Sequence, residues 1–146
     1  METVNYDPLK LENQLCFPLY ACAREIVKRY KPFLDEIDLT YTQYVTMMVL
    51  WEHRQITSKE IGTLLHLDSG TLTPVLKKLA EKGLVLRKRS QEDERNLNVT
   101  LTDTGLALRD RALAVPGKMG SCIRLSPEEA YTLYTLLYKL LEEVSE

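Results

Sequence analysis

Apolar residues spaced three or four positions apart predict an α-helix over residues 69–82, with one buried face formed by Leu72, Val75, Leu76 and Leu79. Asp68 precedes it and is a favourable N-cap, because its carboxylate can accept an amide of the first turn. Gly83 follows the last turn, where left-handed backbone is often required. Beyond it, residues 84–89 and 97–101 alternate apolar with polar side chains, which predicts a β-hairpin.

A shorter helix is predicted directly before this segment, over residues 57–67. Thr57 and Glu60 have the spacing of a capping box, and Ile61 and Leu64 start an apolar face. The two helices meet at a tight junction at residues 67–68, which is typical of a helix-turn-helix. With the hairpin behind it, the motif becomes winged.

The remaining pattern predicts four more helices, over residues 9–31, 40–53, 102–115 and 127 to the C-terminus. Thr40 and Gln43 make a capping box, and Ser126 with Glu129 makes another. Ile56 is a candidate for a third strand. Within the first helix we expect Pro18 to kink the chain, and Pro32 to end or bend it. Pro116–Gly117 punctuates the fourth predicted helix, which can resume beyond it.

These elements predict one domain, residues 1–146, that is mainly α-helical with a small β-wing. Residues 40–102 suffice for a winged helix-turn-helix lobe. The helices in residues 9–38 and 103–146 must bury their apolar faces elsewhere, and the simplest partner is a second copy of the chain. The sequence therefore predicts a homodimer with a separate dimerisation lobe.

Charge is distributed unevenly along the chain. The 146 residues carry a net charge of −2, yet seven basic and four acidic side chains between residues 77 and 95 give that stretch +3. A local basic surface on an acidic protein indicates an anionic partner at one face. The short polar residues Ser69, Gly70, Thr71 and Thr73 open the adjacent helix and suit contacts with base edges and phosphates. A solvated helix and hairpin without a partner is the alternative.

Composition narrows the class further. At 45% hydrophobic residues the chain is globular, and no apolar run approaches the ~20 residues of a membrane span. No secretory signal is visible, and three cysteines without framework spacing favour the reducing cytosol. His53 and His66 lack cysteine or histidine neighbours at ligand spacing, so we expect neither a metal nor a cofactor.

The segment DERNLNVTLTDTG, with Asp93, Arg95, Val99, Leu101 and Thr102, resembles the wing signature of the MarR family of winged-helix regulators. The resemblance implies that residues 69–82 form the recognition helix and residues 87–95 the wing, with Arg95 in the minor groove and Asp93 bracing it. It also implies dimerisation through the terminal helices and a pseudo-palindromic double-stranded DNA operator. The implied DNA-binding residues are Ser69, Gly70, Thr71, Thr73, Pro74, Lys77, Lys78, Arg87, Lys88, Arg89, Asp93 and Arg95.

The N-terminal segment LENQLCFPLYACAREIVKRYKPFL resembles the organic hydroperoxide regulators, the OhrR branch of that family. The resemblance implies a cytoplasmic repressor, not an enzyme, that releases its operator when organic hydroperoxide oxidises Cys16. It also implies that the hydroxyls of Tyr20 and Tyr30 hydrogen-bond the Cys16 thiol. Tyr20 is four residues on, within reach on the same face. Tyr30 lies fourteen residues on, roughly 21 Å along a helix, and must come from the partner subunit.

The other two cysteines differ in their expected roles. Cys22 lies six residues from Cys16, about 9 Å along a helix, whereas a disulfide needs Cα atoms within about 7 Å. We therefore expect Cys22 to be a core residue. Cys122 falls in residues 117–125, a predicted loop, and is the candidate to resolve an oxidised Cys16. Members of the branch use either such a second cysteine or a small thiol.

Two other functions fit parts of the sequence. In the first, Cys16 packs passively as a small hydrophobe and a phenolic ligand releases the DNA. In the second, the chain is a thiol peroxidase, although it carries no arginine-backed peroxidase motif near Cys16 and the basic wing would then be unexplained. Operator release that persists in Cys16→Ser would favour the first, and peroxide turnover with a dithiol the second.

Overall fold

The helices and strands follow the predicted order in a computed structural model, which describes residues 4–92 and 97–145. Two short 3-10 turns, Asp7–Leu9 and Leu11–Asn13, come first. The helices of the described residues are α1 Cys16–Asp35, α2 Tyr41–His53, α3 Ser58–Leu65, α4 Ser69–Glu81, α5 Asp103–Ala112, α6 Val115–Gly120 and α7 Pro127–Val144. The strands are β1 Gln55–Thr57, β2 Val85–Arg89 and β3 Leu97–Leu101. The predicted fold class, mainly helical with a small β-wing, is confirmed.

The three strands form one antiparallel sheet in the order β1–β3–β2. Val99 at its centre pairs with Ile56 of β1 and with Arg87 of β2. Ile56 therefore belongs to a third strand, as predicted. The buried Val99 faces the helices, while the neighbouring positions on β2 carry the basic side chains of the wing.

The helix starts follow the capping residues that the sequence indicated. Thr40, Thr57 and Ser126 each form a complete capping box, with Gln43, Glu60 and Glu129 respectively. Each box satisfies amides that the first helical turn would otherwise leave without partners. Gly83 has φ +74°, so the left-handed backbone expected after α4 is present.

The core is formed by α2–α5 and the sheet, together with the end of α1 and with α6. Its fully enclosed side chains include Leu34, Met47, Leu50, Ile61, Leu76, Leu79, Val85 and Val99. Of the apolar face predicted for α4, Leu72, Leu76 and Leu79 are buried and Val75 is half-buried against the core.

Three predicted boundaries were wrong. α1 begins at Cys16 and not at residue 9, so Pro18 lies in the first turn. A proline there breaks no helical hydrogen bond, since the amides of the first turn have no acceptor within the helix, and the predicted kink is not needed. Pro32 lies inside α1, which continues to Asp35. The helix predicted over residues 102–115 is divided in two, and α6 resumes through Pro116 and Gly117.

α7 buries none of its side chains within the chain. Its apolar residues remain exposed, Tyr131 by 73% and Leu136 by 57%, for example. Such a helix is not stable alone in water, so its apolar face indicates a missing partner surface. Among the described residues, no helix is both long and apolar enough to cross a membrane.

Candidate DNA interface and thiol site

The start of α4 is held by two local constraints. The Thr71 amide donates a hydrogen bond of 2.7 Å to the Asp68 carboxylate, and this bond lowers the pKa of that carboxyl. Asp68 is therefore ionised at neutral pH, which suits the positive end of a helix. On the side of α3, a Cβ on Gly62 would lie 2.8 Å from the carbonyl of Leu67, so the tight turn requires a residue without a side chain there.

One face of α4 is free of core contacts. The predicted DNA-contacting residues on it are exposed, namely Ser69, Gly70, Thr71, Thr73, Pro74, Lys77 and Lys78. The Thr73 hydroxyl donates to the carbonyl of Ser69 at 2.7 Å, and Lys78 lies 3.6 Å from Glu81. The opposite face carries the buried leucines, so the helix is anchored on one side and open to a ligand on the other.

The basic residues of the wing lie on β2. Lys88 and Arg89 are exposed, and Arg87 is half-buried, with a buried Nε that has no hydrogen-bond partner in the described part of the chain. Asp93 and Arg95, predicted to complete the wing, lie outside the described residues.

The base of the hairpin is fixed by Thr102. Its hydroxyl donates to the carbonyl of Gly83 at 2.7 Å and accepts the Gly105 amide at 3.0 Å. Its own amide donates to the carbonyl of Leu84 at 3.1 Å. These bonds fix the wing relative to the end of α4, so that both can contact one ligand at fixed spacing.

Cys16 is the first residue of α1 and is exposed. The positive end of a helix and its unpaired amides favour an anion at this position. The thiol lies in an apolar groove between α1 and α7, lined among others by Leu19, Ile26, Leu133 and Leu137. An accessible thiol in apolar surroundings suits a hydrophobic oxidant.

Cys22 lines the same groove and is exposed. The expectation that it belongs to the core was therefore wrong for the single chain. α1 packs on the core only near its end, where Leu34 is buried, and this leaves its first half outside. Apolar spacing along α1 identified the face but could not tell which surface covers it.

Within the described residues of one chain, no hydrogen bond joins Cys16 to Tyr20 or Tyr30, so these two predicted contacts remain predictions. Tyr20 is exposed, with the Arg24 guanidinium 5.5 Å from its ring centre.

Tyr30 lies in a cluster of three tyrosines that the sequence reasoning missed. Its ring centre is 4.9 Å from that of Tyr41 and 6.0 Å from that of Tyr44. Burial raises the pKa of Tyr30, and the neighbouring Tyr41 raises it further. Burial also raises the pKa values of Tyr41 and Tyr44. All three hydroxyls are therefore protonated donors at neutral pH. The i, i+3 spacing of Tyr41 and Tyr44 on α2 was the available signal.

Cys122 follows α6 directly and is exposed. Residues 117–120 are helical, so the predicted loop is shorter than expected. The Cys122 thiol donates to the carbonyl of Lys118 at 3.5 Å, and its amide donates to the carbonyl of Met119 at 2.9 Å. Cys122 is thus accessible but loosely tied to the last turn of α6.

Comparison with known proteins places the chain among transcription regulators. The sequence profile of the family described as Transcriptional regulator SarA/Rot matches residues 28–111. The chain is 49% identical to the organic hydroperoxide resistance transcriptional regulator of Bacillus subtilis (strain 168), over 94% of this chain and 93% of that protein.

Solved structures show the same fold. Reduced AbfR bound to DNA is 37% identical, with a TM-score of 0.77, and the match covers 96% of this chain and 98% of that one. Disulfide-formed AbfR is 36% identical, with a TM-score of 0.64 and 96% coverage of both chains. A mutant MarR from E. coli in complex with operator DNA is 25% identical, with a TM-score of 0.80, covering 94% of this chain and 99% of that one.

Proposed function

The chain belongs to the MarR family of winged-helix transcriptional regulators, on the organic hydroperoxide branch, and we propose that it is a homodimeric repressor that leaves its operator when organic hydroperoxide oxidises Cys16. The observation that carries the proposal is the accessible Cys16 thiol at the start of α1, in the apolar face that a second subunit would cover. A redox-sensitive group at that position could alter how the two subunits fit together.

Two features support DNA as the partner. The open face of α4 begins at a fixed N-cap and carries Lys77, and the neighbouring β2 carries Lys88 and Arg89. Relatives of this fold have been solved on DNA. As a DNA-bound regulator with reduced thiols, the protein would act in the cytoplasm.

Dimerisation is supported by the exposed side chains of α7 and by the groove between α1 and α7. A two-fold dimer presents the same patch from both subunits and closes on itself. It would place two copies of α4 in successive major grooves of a pseudo-palindromic operator, about one helical turn apart.

The chemistry of the switch needs only the peroxide and two thiols. The Cys16 thiolate attacks the peroxide, the O–O bond breaks, and the peroxide is reduced to an alcohol while sulfur becomes a sulfenic acid. A second thiol then forms an S–S bond with that sulfur and releases water. We propose Cys122 of the partner subunit for this step. The hydroxyls of Tyr20 and of Tyr30 of the partner subunit would hydrogen-bond the reduced Cys16.

Operator release follows from geometry. Two recognition helices bind one operator only at the correct separation, so a disulfide that repositions the terminal helices would weaken binding at both half-sites. The chain matches reduced AbfR on DNA with a TM-score of 0.77 and the disulfide form with 0.64, which is consistent with a conformational change within each subunit.

A gel-shift titration with cumene hydroperoxide tests the proposal. Wild type should release its operator, and Cys16→Ser should stay bound at every peroxide concentration. Cys22→Ser, which removes a thiol from the same groove, is the matched control and should behave as wild type. Release from Cys16→Ser would make Cys16 passive and favour a ligand-responsive regulator. Repeated turnover of peroxide with a dithiol would favour a thiol peroxidase.

A further inference from the structure

The acidic turn between α1 and α2 is held by three cationic side chains. Lys118 lies 2.7 Å from the carboxylate of Glu36, and the Arg111 guanidinium donates to the carbonyl of Glu36. Lys82 donates to the carbonyl of Asp38 and lies 3.4 Å from its carboxylate. These contacts join segments that are distant in sequence.

The three cations come from three different elements. Lys82 is the C-cap residue of the recognition helix α4, and it also donates to Gln43 of α2 at 3.2 Å. Arg111 belongs to the last turn of α5, and Lys118 to α6. The Lys118 ammonium also lies 5.9 Å from the ring centre of Phe33 on α1. The turn is thus the place where the end of α4 and the end of α6 contact the same few residues.

One of these cations is connected to the second thiol. The thiol of Cys122 donates to the carbonyl of Lys118, one helical turn earlier. Cys122, Lys118, Glu36, Asp38 and Lys82 therefore form a continuous chain of contacts from the end of α6 to the end of the recognition helix.

We propose that this chain of contacts transmits oxidation to α4 within one subunit. The inference rests on the proposed disulfide. When Cys122 joins sulfenylated Cys16, the thiol hydrogen leaves in water, so the bond to the carbonyl of Lys118 is broken. Displacement of residues 118–122 toward the disulfide separates Lys118 from Glu36. The turn is then held by two cations instead of three, and Lys82 fixes the end of α4 less firmly.

The size of the expected effect follows from exposure. The side chains of Lys118 and Glu36 are 40% and 61% exposed, so solvent screens their attraction. Removal of one such pair should change operator affinity by about threefold to fivefold. Because the pair exists only in the reduced protein, removing it should weaken the reduced form and leave the oxidised form unchanged.

The test compares operator Kd, by fluorescence anisotropy, for reduced and hydroperoxide-treated full-length protein. Lys118→Met keeps the stem over Phe33 and removes the charge. Its reduced form should bind about threefold to fivefold more weakly, with oxidised affinity as in wild type and the same cross-link on a non-reducing gel. The charge exchange Lys118→Glu with Glu36→Lys should restore the wild-type ratio. Lys28→Met, which breaks the exposed 3.0 Å pair with Glu25 on α1, should change neither form.

The outcomes separate the inference from the function. A wild-type ratio of oxidised to reduced Kd in Lys118→Met, or an equal loss of affinity in both forms, would show that the pair does not transmit oxidation. Failure of the charge exchange to restore the ratio would also overturn it. If wild type itself neither cross-links nor releases DNA, the proposed function is wrong and the inference falls with it.

Discussion

The indole Nε1 of Trp51 donates a hydrogen bond of 2.9 Å to the carbonyl of Gly105, which ties α2 to the first turn of α5 behind the wing. The two helices approach closely there. A Cβ on Gly105 would lie 2.2 Å from the carbonyl oxygen of Leu84 and 2.8 Å from a methyl of Leu101. The contact therefore requires glycine, and it fixes the base of the hairpin against the helical core.

Gly105→Ala should consequently be strongly destabilising. The added methyl meets backbone, which cannot rotate away, so we expect the free energy of unfolding to fall by about 3 kcal/mol. Urea unfolding at fixed protein concentration measures it. Gly117→Ala is the matched control, since a Cβ at that position would have no atom within 4 Å and alanine favours helix in α6. Equal stability of the two variants would contradict the close approach.

Much of this fold could be predicted because local chemistry specified it. Asp68, Thr57 and Ser126 marked helix starts by residue type, and Val99 marked the central strand by alternation. The start of α1 was missed because Leu11 and Leu15 continue its apolar spacing upstream, although they belong to exposed 3-10 and turn segments. Periodicity reports a face and not the surface that covers it, which also explains the wrong expectation for Cys22.

A second prediction concerns phosphate contacts. Lys77→Ala and Lys88→Ala each remove an exposed charge from the proposed DNA face, so affinity should fall for all sequences alike. The slope of log Kobs against log salt should become shallower by about one for each phosphate interaction removed per subunit. Anisotropy between about 50 and about 200 mM salt gives that slope. Lys28→Ala, on α1, should leave it unchanged. A wild-type slope in both wing and helix variants would remove these lysines from the interface.

The thiol site depends on residues that the sequence placed only through family resemblance. Cys16 and Tyr30 are on one helix and cannot meet within one chain, so no single-chain geometry could test their pairing. The tyrosine cluster arises because α1 and α2 bring Tyr30 and Tyr41 together from separate helices, and such contacts are not encoded in spacing along either helix.

Tyr30→Phe should slow alkylation of Cys16 at neutral pH, because it removes a proposed donor to the thiolate while keeping the ring and the packing. Burial raises the pKa of Tyr30, so its hydroxyl stays protonated and the effect should persist between about pH 6 and about pH 9. Stopped-flow reaction with iodoacetamide measures the rate. Tyr134→Phe, on exposed α7, is the control for removal of a hydroxyl elsewhere. A wild-type rate in Tyr30→Phe would exclude this residue from the site.

Heterodimers sharpen the assignment across the interface. With Cys16→Ser in one subunit and Tyr30→Phe in the other, only the second subunit keeps Cys16, and its partner still carries Tyr30. That thiol should therefore react at the wild-type rate. If both substitutions are in the same subunit, the remaining Cys16 faces a phenylalanine and should react slowly. Identical rates in the two arrangements would mean that Tyr30 does not act between subunits.

The last prediction is that oxidation links two chains through Cys16 and Cys122. Both thiols are exposed, and Cys122 follows the short helix α6, so only the 118–122 segment needs to move to bring the sulfurs into range. A disulfide within the chain between Cys16 and Cys22 would require unwinding of α1, because residues six apart in a helix lie about 9 Å apart along its axis. After one equivalent of cumene hydroperoxide, a non-reducing gel should show a covalent dimer for wild type and Cys22→Ser, and a monomer for Cys16→Ser and Cys122→Ser. A cross-link that survives in Cys122→Ser, or a monomeric wild type, would exclude this pairing and leave a small thiol to resolve the oxidised Cys16.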